Sequence, residues 1–246
     1  MKPEYPDKEE RIYHIDPINA DYPSVTTIIG QLDKSGPLMG WAVKMTIEYL
    51  QQHKEELVAD PTDTYKKAKA WYKEVSEKAK DYGSNLHNLL EVYLKGQRVE
   101  GLLQEFPELK PSLEEFKGWQ KAHNFKLLES EHIVWSTEYR FAGTLDCVGM
   151  IDDRLFVVDF KSSKAIYPEY LMQVAAYKEA YEERTGGEVK GLGILRLPKE
   201  QGSTLEWKEY TLLEAKDAFD EFMCMVSFWW EKQLHKKGGR NGNIGN

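Results

Sequence analysis

The stretch that decides the fold is Gly143 to Lys161, GTLDCVGMIDDRLFVVDFK. It holds two apolar segments separated by Asp152, Asp153 and Arg154. In the first, Thr144, Asp146 and Val148 alternate with Leu145, Cys147 and Gly149. In the second, Leu155 to Lys161, β-branched and aromatic residues dominate. Both patterns favour strands, and two short strands joined by a polar turn read as an antiparallel hairpin. With Asp152 and Asp153 as a two-residue turn, pairing is mirrored about the bond between them, which sets Asp146 opposite Asp159. Their Cβ atoms would then lie roughly 5 Å apart. Lys161 stands two residues beyond Asp159 and points to the same face.

Two carboxylates facing each other across a sheet repel unless a cation lies between them. Val148 and Val157 on that face partly enclose the pair and raise its cost. Hard oxygen ligands of this kind suit Mg²⁺ or Mn²⁺. Beside them Lys161 would orient a water or neutralise charge that develops on a phosphate. A solvated strand face on which Lys161 merely neutralises Asp159 explains D-x-K alone better, because the pattern is short and common. The facing Asp146 shifts that balance.

At 246 residues the chain is long enough for one large domain or two small ones. A net charge of −8 argues against a surface coated for nucleic-acid binding, though not against a local basic groove. The two cysteines, Cys147 and Cys224, exclude a four-cysteine zinc or iron–sulfur cluster within one chain. No apolar run is long enough to span a membrane, and the polar N-terminus MKPEYPDKEERIYH does not read as a signal peptide. The expected setting is a reducing cytoplasm, bacterial or of a phage-infected host.

Residues 1 to about 22 read as an irregular arm or edge strand. Ser24 or Thr26 caps a short helix, Gly30 to Pro37 breaks it, and Leu38 to Gln52 looks helical. Trp41 and Lys44, three apart, could set an aromatic beside a cation, though Trp41 reads more simply as core. Asp60-Pro61 starts a further helix. Its segment Thr62 to Asp81 carries Lys66, Lys67, Lys69, Lys73, Lys78 and Lys80. A helix tracking a phosphate backbone and a solvated face laced with Glu74 and Glu77 explain these lysines equally well. In YGSNLHNLLEVYLKG, Gly83, His87 and Glu91 share one helical face, and Leu86, Leu89, Leu90 and Leu94 form the core stripe. His87 would ligate a metal through its imidazole, or simply hydrogen-bond to Glu91.

Ser112 with Glu115 reads as a capping box opening a helix to about Leu127, followed by a strand over Ser130 to Ser136. Arg140 is a plausible phosphate contact, with a surface salt bridge to Glu138 as the simpler reading. After Lys161, Pro168 opens a helix closed by Gly186-Gly187, on which Gln173 and Tyr177 share a face. Val189 to Leu197 and Leu205 to Tyr210 read as strands around a Pro198 to Ser203 turn. Thr211 and Glu214 form another capping box, opening a helix to about Leu234.

Taken together, these motifs resemble the PD-(D/E)XK nucleases, in the branch that contains the RecB nuclease domain, lambda-type exonucleases and the mitochondrial genome maintenance exonuclease. The matching elements stand in order: the G-x-x-x-H-x-x-x-E helix, the GTLD strand, the DFK strand and the Q-x-x-x-Y helix. PSVTTIIG, from Pro23 to Gly30, with Trp41 beyond it, is also similar to the N-terminal segment of several phage and mitochondrial members. Leu145 replaces the usual proline, as is common in this branch.

The resemblance implies an α/β (α+β) fold with a restriction-endonuclease-like core, in which helices flank a central mixed sheet and an N-terminal helical extension is added. Residues 1–100 would be the arm and helical region, 101–235 the nuclease core and 236–246 a disordered tail, in a single domain overall. His87, Asp146, Asp159 and the backbone carbonyl of Phe160 would hold Mg²⁺ or Mn²⁺, with no iron–sulfur cluster, and Lys161 would be catalytic. Gln173 and Tyr177 would support the site and contact the nucleic acid. Glu91, Arg140, Ser24 and Trp41 are further supporting candidates. The implied activity is a metal-dependent deoxyribonuclease, foremost an exonuclease that acts on single strands or strand ends in recombination, repair or replication. A recombination or replication protein is an expected partner. A flap endonuclease with the same site and an inactive DNA-binding protein on the same fold are the alternatives.

Overall fold

The structure, a computed structural model, describes residues 11–197, 199 and 204–238. Most of the expected 198–203 turn, the first ten residues of the arm and positions 239–246 of the expected tail lie outside the described residues. The chain divides into two compact units, Met1–Gln31 with Leu89–Asn246, and Leu32–Asn88. The boundary between the two units falls inside a helix.

The larger unit begins with an antiparallel hairpin, β1 (Ile12–Ile15) and β2 (Ala20–Pro23), where an irregular arm or single edge strand was expected. Ser24 then caps α1 (Val25–Ile29), its Oγ accepting the Thr27 N–H at 2.9 Å.

The smaller unit consists of α2 (Ser35–Gln52), α3 (Lys54–Ala59) and most of α4 (Pro61–Leu94). Pro37 falls in the first turn of α2, where its missing N–H costs nothing, so the expected break is shorter than Gly30–Pro37. Asp60 caps α4, its Oδ1 accepting the Asp63 N–H at 3.0 Å. The two helical segments expected on either side of Asp81 are one 34-residue helix. Gly83 costs such a helix about 1 kcal/mol, less than the gain from burying Leu86, Leu89 and Leu90 completely.

The larger unit resumes with α5 (Glu100–Glu105) and α6 (Lys110–Ala122). Ser112 does not open α6. The helix starts two residues earlier with Pro111 in its first turn, and Ser112 is buried within it, so the expected capping box is absent. The helix also stops well short of Leu127, because Asn124 turns left-handed at φ 46. Next come β3 (Lys126–Ser136), β4 (Phe141–Ile151), β5 (Arg154–Lys161), α7 (Pro168–Thr185), β6 (Gly191–Arg196), β7 (Glu206–Tyr210) and α8 (Leu212–Gly238). Thr211 and Glu214 exchange hydrogen bonds across the first turn of α8, completing that capping box. Because α8 reaches Gly238, positions 236–238 of the expected tail are helical.

The five strands form one sheet in the order β3-β4-β5-β6-β7. All neighbours are antiparallel except β5 and β6, the pair that α7 connects. This is the mixed α/β sheet flanked by helices that the sequence implies. The hairpin register is also as expected, from Ile151↔Arg154 to Cys147↔Val158. Asp152 and Asp153 have φ of 45° and 61°, the left-handed pair that a type I′ turn demands.

Strict alternation along β4 fails at one point. A Cβ on Gly143 would meet the Tyr177 ring of α7, so Gly143, and Leu145 two residues on, face that helix. Val148, expected on the other side from Leu145, enters the same core cluster. Thr144 instead meets β1, its Oγ1 lying 3.0 Å from the Tyr13 hydroxyl. The phase of β4 thus shifts across Asp146 and Cys147. In β3, Glu131 has φ 49, a left-handed residue inside a strand. Pairing holds on either side, Ser130↔Cys147 and His132↔Leu145, so each strand absorbs one irregular residue without loss of register. Such kinks re-aim side chains beside functional sites.

The main core packs α1, α7 and α8 against the sheet. Phe141 of β4 meets Phe222 of α8 edge to face at 5.1 Å, while Phe160 of β5 meets Phe116 of α6 at 5.6 Å.

Candidate metal centre

β5 carries Asp159 and Lys161 on one face, and the two are ion-paired, Nζ to Oδ2, at 2.6 Å. Asp159 is 1% exposed. Lys161 also donates to Gln173 Oε1 at 2.9 Å, and Gln173 Nε2 donates to the Tyr177 hydroxyl at 3.1 Å. One turn of α7 separates the glutamine from the tyrosine, so the helix fixes the relay that fixes the lysine. The relay needs Gly143, where a Cβ would stand 2.5 Å from Tyr177 Cε1. The glycine of GTLD is therefore there to admit the ring.

Burial alone would pull the Lys161 pKa down, but the carboxylates of Asp159 and then Asp146 outweigh it and hold the ammonium raised. Lys161 is a fixed cation. Burial pushes the Tyr177 phenol well up, with Asp159 adding to the shift, so Tyr177 stays a neutral hydroxyl. Cys147 is likewise pushed well up by burial, then by Asp146 and Asp159, and remains an inert thiol.

Asp146 lies where β4 and β5 part. The ladder of the hairpin ends at Cys147↔Val158, one pair short of the direct Asp146–Asp159 opposition expected. Instead Asp146 Oδ2 accepts the Phe160 N–H at 2.7 Å, a charge-assisted bond that orients the carboxylate. On its other side stands the β3 position of Glu131. His87 is half-buried on α4, two residues before Leu89. Glu131 and Asp146 each offer a carboxylate oxygen, and these lie within 4.8 Å of each other. Two carboxylates gathered this closely fit a divalent cation. Asp159 Oδ2 is instead taken by Lys161.

The other sequence candidates have different partners. Glu91 forms an ion pair with Lys95, one turn along α4. Ser24 is a buried helix cap. Trp41 meets Tyr72 edge to face at 6.3 Å, and Lys44 pairs with Glu48. Arg140 stacks over Trp230 at 4.0 Å, and that contact replaces the expected salt bridge with Glu138. In the lysine-rich segment, Lys67 pairs with Asp63 at 2.8 Å and Lys78 lies over Trp71, so those two belong to a laced helical surface.

Sequence reasoning missed Glu131 and Gly143. Glu131 was legible by the mirror argument used for the hairpin. Reflection about the turn between Ser136 and Phe141, which are themselves paired, brings Glu131 opposite Asp146. Gly143 was not legible, because its role depends on where α7 packs.

No protein-family model matches the sequence, and no curated protein does. Two solved structures are similar to it at low identity. One is the "putative exonuclease" of Eubacterium rectale, with 12% identity and a TM-score of 0.44, over 63% of this chain and 66% of that one. This chain thus spans just under two thirds of that protein's length. The other is SSO0001, with 15% identity and a TM-score of 0.32, over 74% of this chain and 67% of that one.

Proposed function

We propose that this chain is a Mg²⁺- or Mn²⁺-dependent deoxyribonuclease that hydrolyses phosphodiester bonds, acting as an exonuclease on strand ends. The observation that carries the reading is Lys161, held as a cation between Asp159 and Gln173 and beside the oriented carboxylate of Asp146. The order of the four sequence motifs supports it. Asp146, Glu131, Asp159 and the Phe160 carbonyl would hold the cation, and the family resemblance adds His87. The bound cation would supply Lewis-acid charge to the scissile phosphate and a nucleophilic water at neutral pH. Lys161 directs its ammonium at the phosphoryl oxygens, where negative charge accumulates during in-line displacement. Gln173 and Tyr177 keep that ammonium aimed, and the Phe160 N–H keeps Asp146 from rotating away. DNA is the partner in this reading.

The test is a cleavage assay on linear and circular DNA, single- and double-stranded, with Mg²⁺, Mn²⁺ or EDTA. Wild type should degrade linear DNA, EDTA should stop it, and Lys161→Ala should lower the rate by at least about a hundredfold. Equal degradation by wild type and Lys161→Ala would show the site assignment to be wrong. Cleavage of circular single strands would replace the exonuclease with an endonuclease.

A further inference from the structure

The end of the loop between Lys161 and α7 and the first turn of that helix hold two tyrosines that the metal centre does not use. Tyr170 has its ring 4.7 Å from Lys161 Nζ. Tyr167 meets Tyr170 edge to face, with ring centroids 5.6 Å apart. Their surroundings differ. Tyr170 packs partly against the main core, whereas Tyr167 is outside that cluster and is 43% exposed.

Tyr167 is also held in place. It is the N-cap of α7, with φ −99 and ψ 150, extended as the residue before Pro168 must be. Its carbonyl accepts the Tyr170 N–H at 3.0 Å. The loop that leads to it is tied down by Ser163, whose hydroxyl donates to the Ala165 carbonyl at 2.8 Å. An exposed aromatic ring with a fixed backbone loses little freedom when another flat ring stacks on it, and Tyr has only two side-chain torsions to freeze. Nucleobases present such rings once unstacked, and stacking on aromatic side chains is how single strands are bound without sequence preference. A duplex keeps its bases stacked on each other and offers no free face.

We propose that Tyr167, backed by Tyr170, is a stacking platform for an unpaired nucleobase of single-stranded DNA beside the cleavage centre. The proposal rests on the nuclease reading above and adds the substrate class, single strand over duplex. Tyr170 couples the platform to the chemistry, because one ring touches both Tyr167 and the Lys161 ammonium.

Fluorescence anisotropy of a labelled oligo-dT in EDTA tests this without turnover, using the full chain as wild type, Tyr167→Ala, Tyr167→Leu and Tyr167→Phe. Tyr167→Ala and Tyr167→Leu should weaken oligo-dT binding by about 5- to 100-fold, and Tyr167→Phe by less than about twofold. An abasic strand of equal length should bind all four proteins alike, and a blunt duplex should bind wild type more weakly than oligo-dT. The proposal is overturned by unchanged binding in Tyr167→Ala, by equal loss in Tyr167→Phe, by equal loss on the abasic strand, or by wild type preferring the duplex. The nuclease reading fails separately, when Lys161→Ala cleaves DNA as fast as wild type while the Tyr167 pattern holds.

Discussion

The β4–β5 hairpin has a pair of aspartates at each end, and the two pairs have opposite fates. At the turn, Asp152 and Asp153 are exposed and accept left-handed backbone angles so that the strands can pair. Asp152 also accepts a hydrogen bond from Asn124 at 2.8 Å. At the open end Asp159 is buried, and Asp146 is half-buried and takes a backbone N–H of the opposite strand. The turn pair serves geometry and faces water, so its charges cost little. The open-end pair is enclosed, so its charges require a cation, and Lys161 provides one.

Removing that cation should have the largest effect. Lys161→Met leaves Asp159 buried beside Asp146 without its ammonium, and should destabilise the metal-free protein by roughly 3 kcal/mol. Urea unfolding measures it, and Mn²⁺ should restore part of the loss. A loss that Mn²⁺ leaves untouched would mean the cation does not bind near Asp159. The same comparison has a pH signature. Because Lys161 is raised from its ordinary 10.5, its contribution is complete below that value and is lost as pH rises through the folded-state value. The stability gap between wild type and Lys161→Met should therefore be flat through neutral pH and close only in strong alkali. Closure near neutral pH would show that Lys161 is not held charged.

Next in size is Gly143→Ala, which drives a methyl group into the Tyr177 ring. Overpacking of this kind costs about 1–3 kcal/mol, or roughly 2–4 °C in Tm per kcal/mol for a chain of this size. It should also slow cleavage more than lost folding explains, because the ring orients Gln173. The smallest effect belongs to the turn. Replacing Asp152-Asp153 with Asn-Gly relieves left-handed strain and should stabilise by a few tenths to about 1 kcal/mol with cleavage unchanged. A loss of cleavage in that variant would mean that the two ends of the hairpin are not independent.

The hairpin was legible because its register follows from two turn residues and a period of two, and neither depends on distant packing. The Q-x-x-x-Y relay was legible for the same local reason, one turn of helix. What sequence reading lost lies where strands kink or where a helix end competes with a strand. The phase shift across Asp146 and Cys147 is invisible to strict alternation, and it moved Thr144 to the side of β1. Ser112 satisfied the capping-box pattern, yet Pro111 opened the helix earlier and took the serine inside. The stacking of Arg140 over Trp230 was out of reach because it joins positions ninety residues apart.

If the open end of the hairpin, and not its turn, holds a divalent cation, binding must depend on Asp146 and not on Asp152. Mn²⁺ binding followed by electron paramagnetic resonance tests it directly in wild type, Asp146→Asn and Asp152→Asn. Asp146→Asn should weaken binding by at least about tenfold while Asp152→Asn leaves it unchanged. Equal Mn²⁺ affinity in wild type and Asp146→Asn would contradict it.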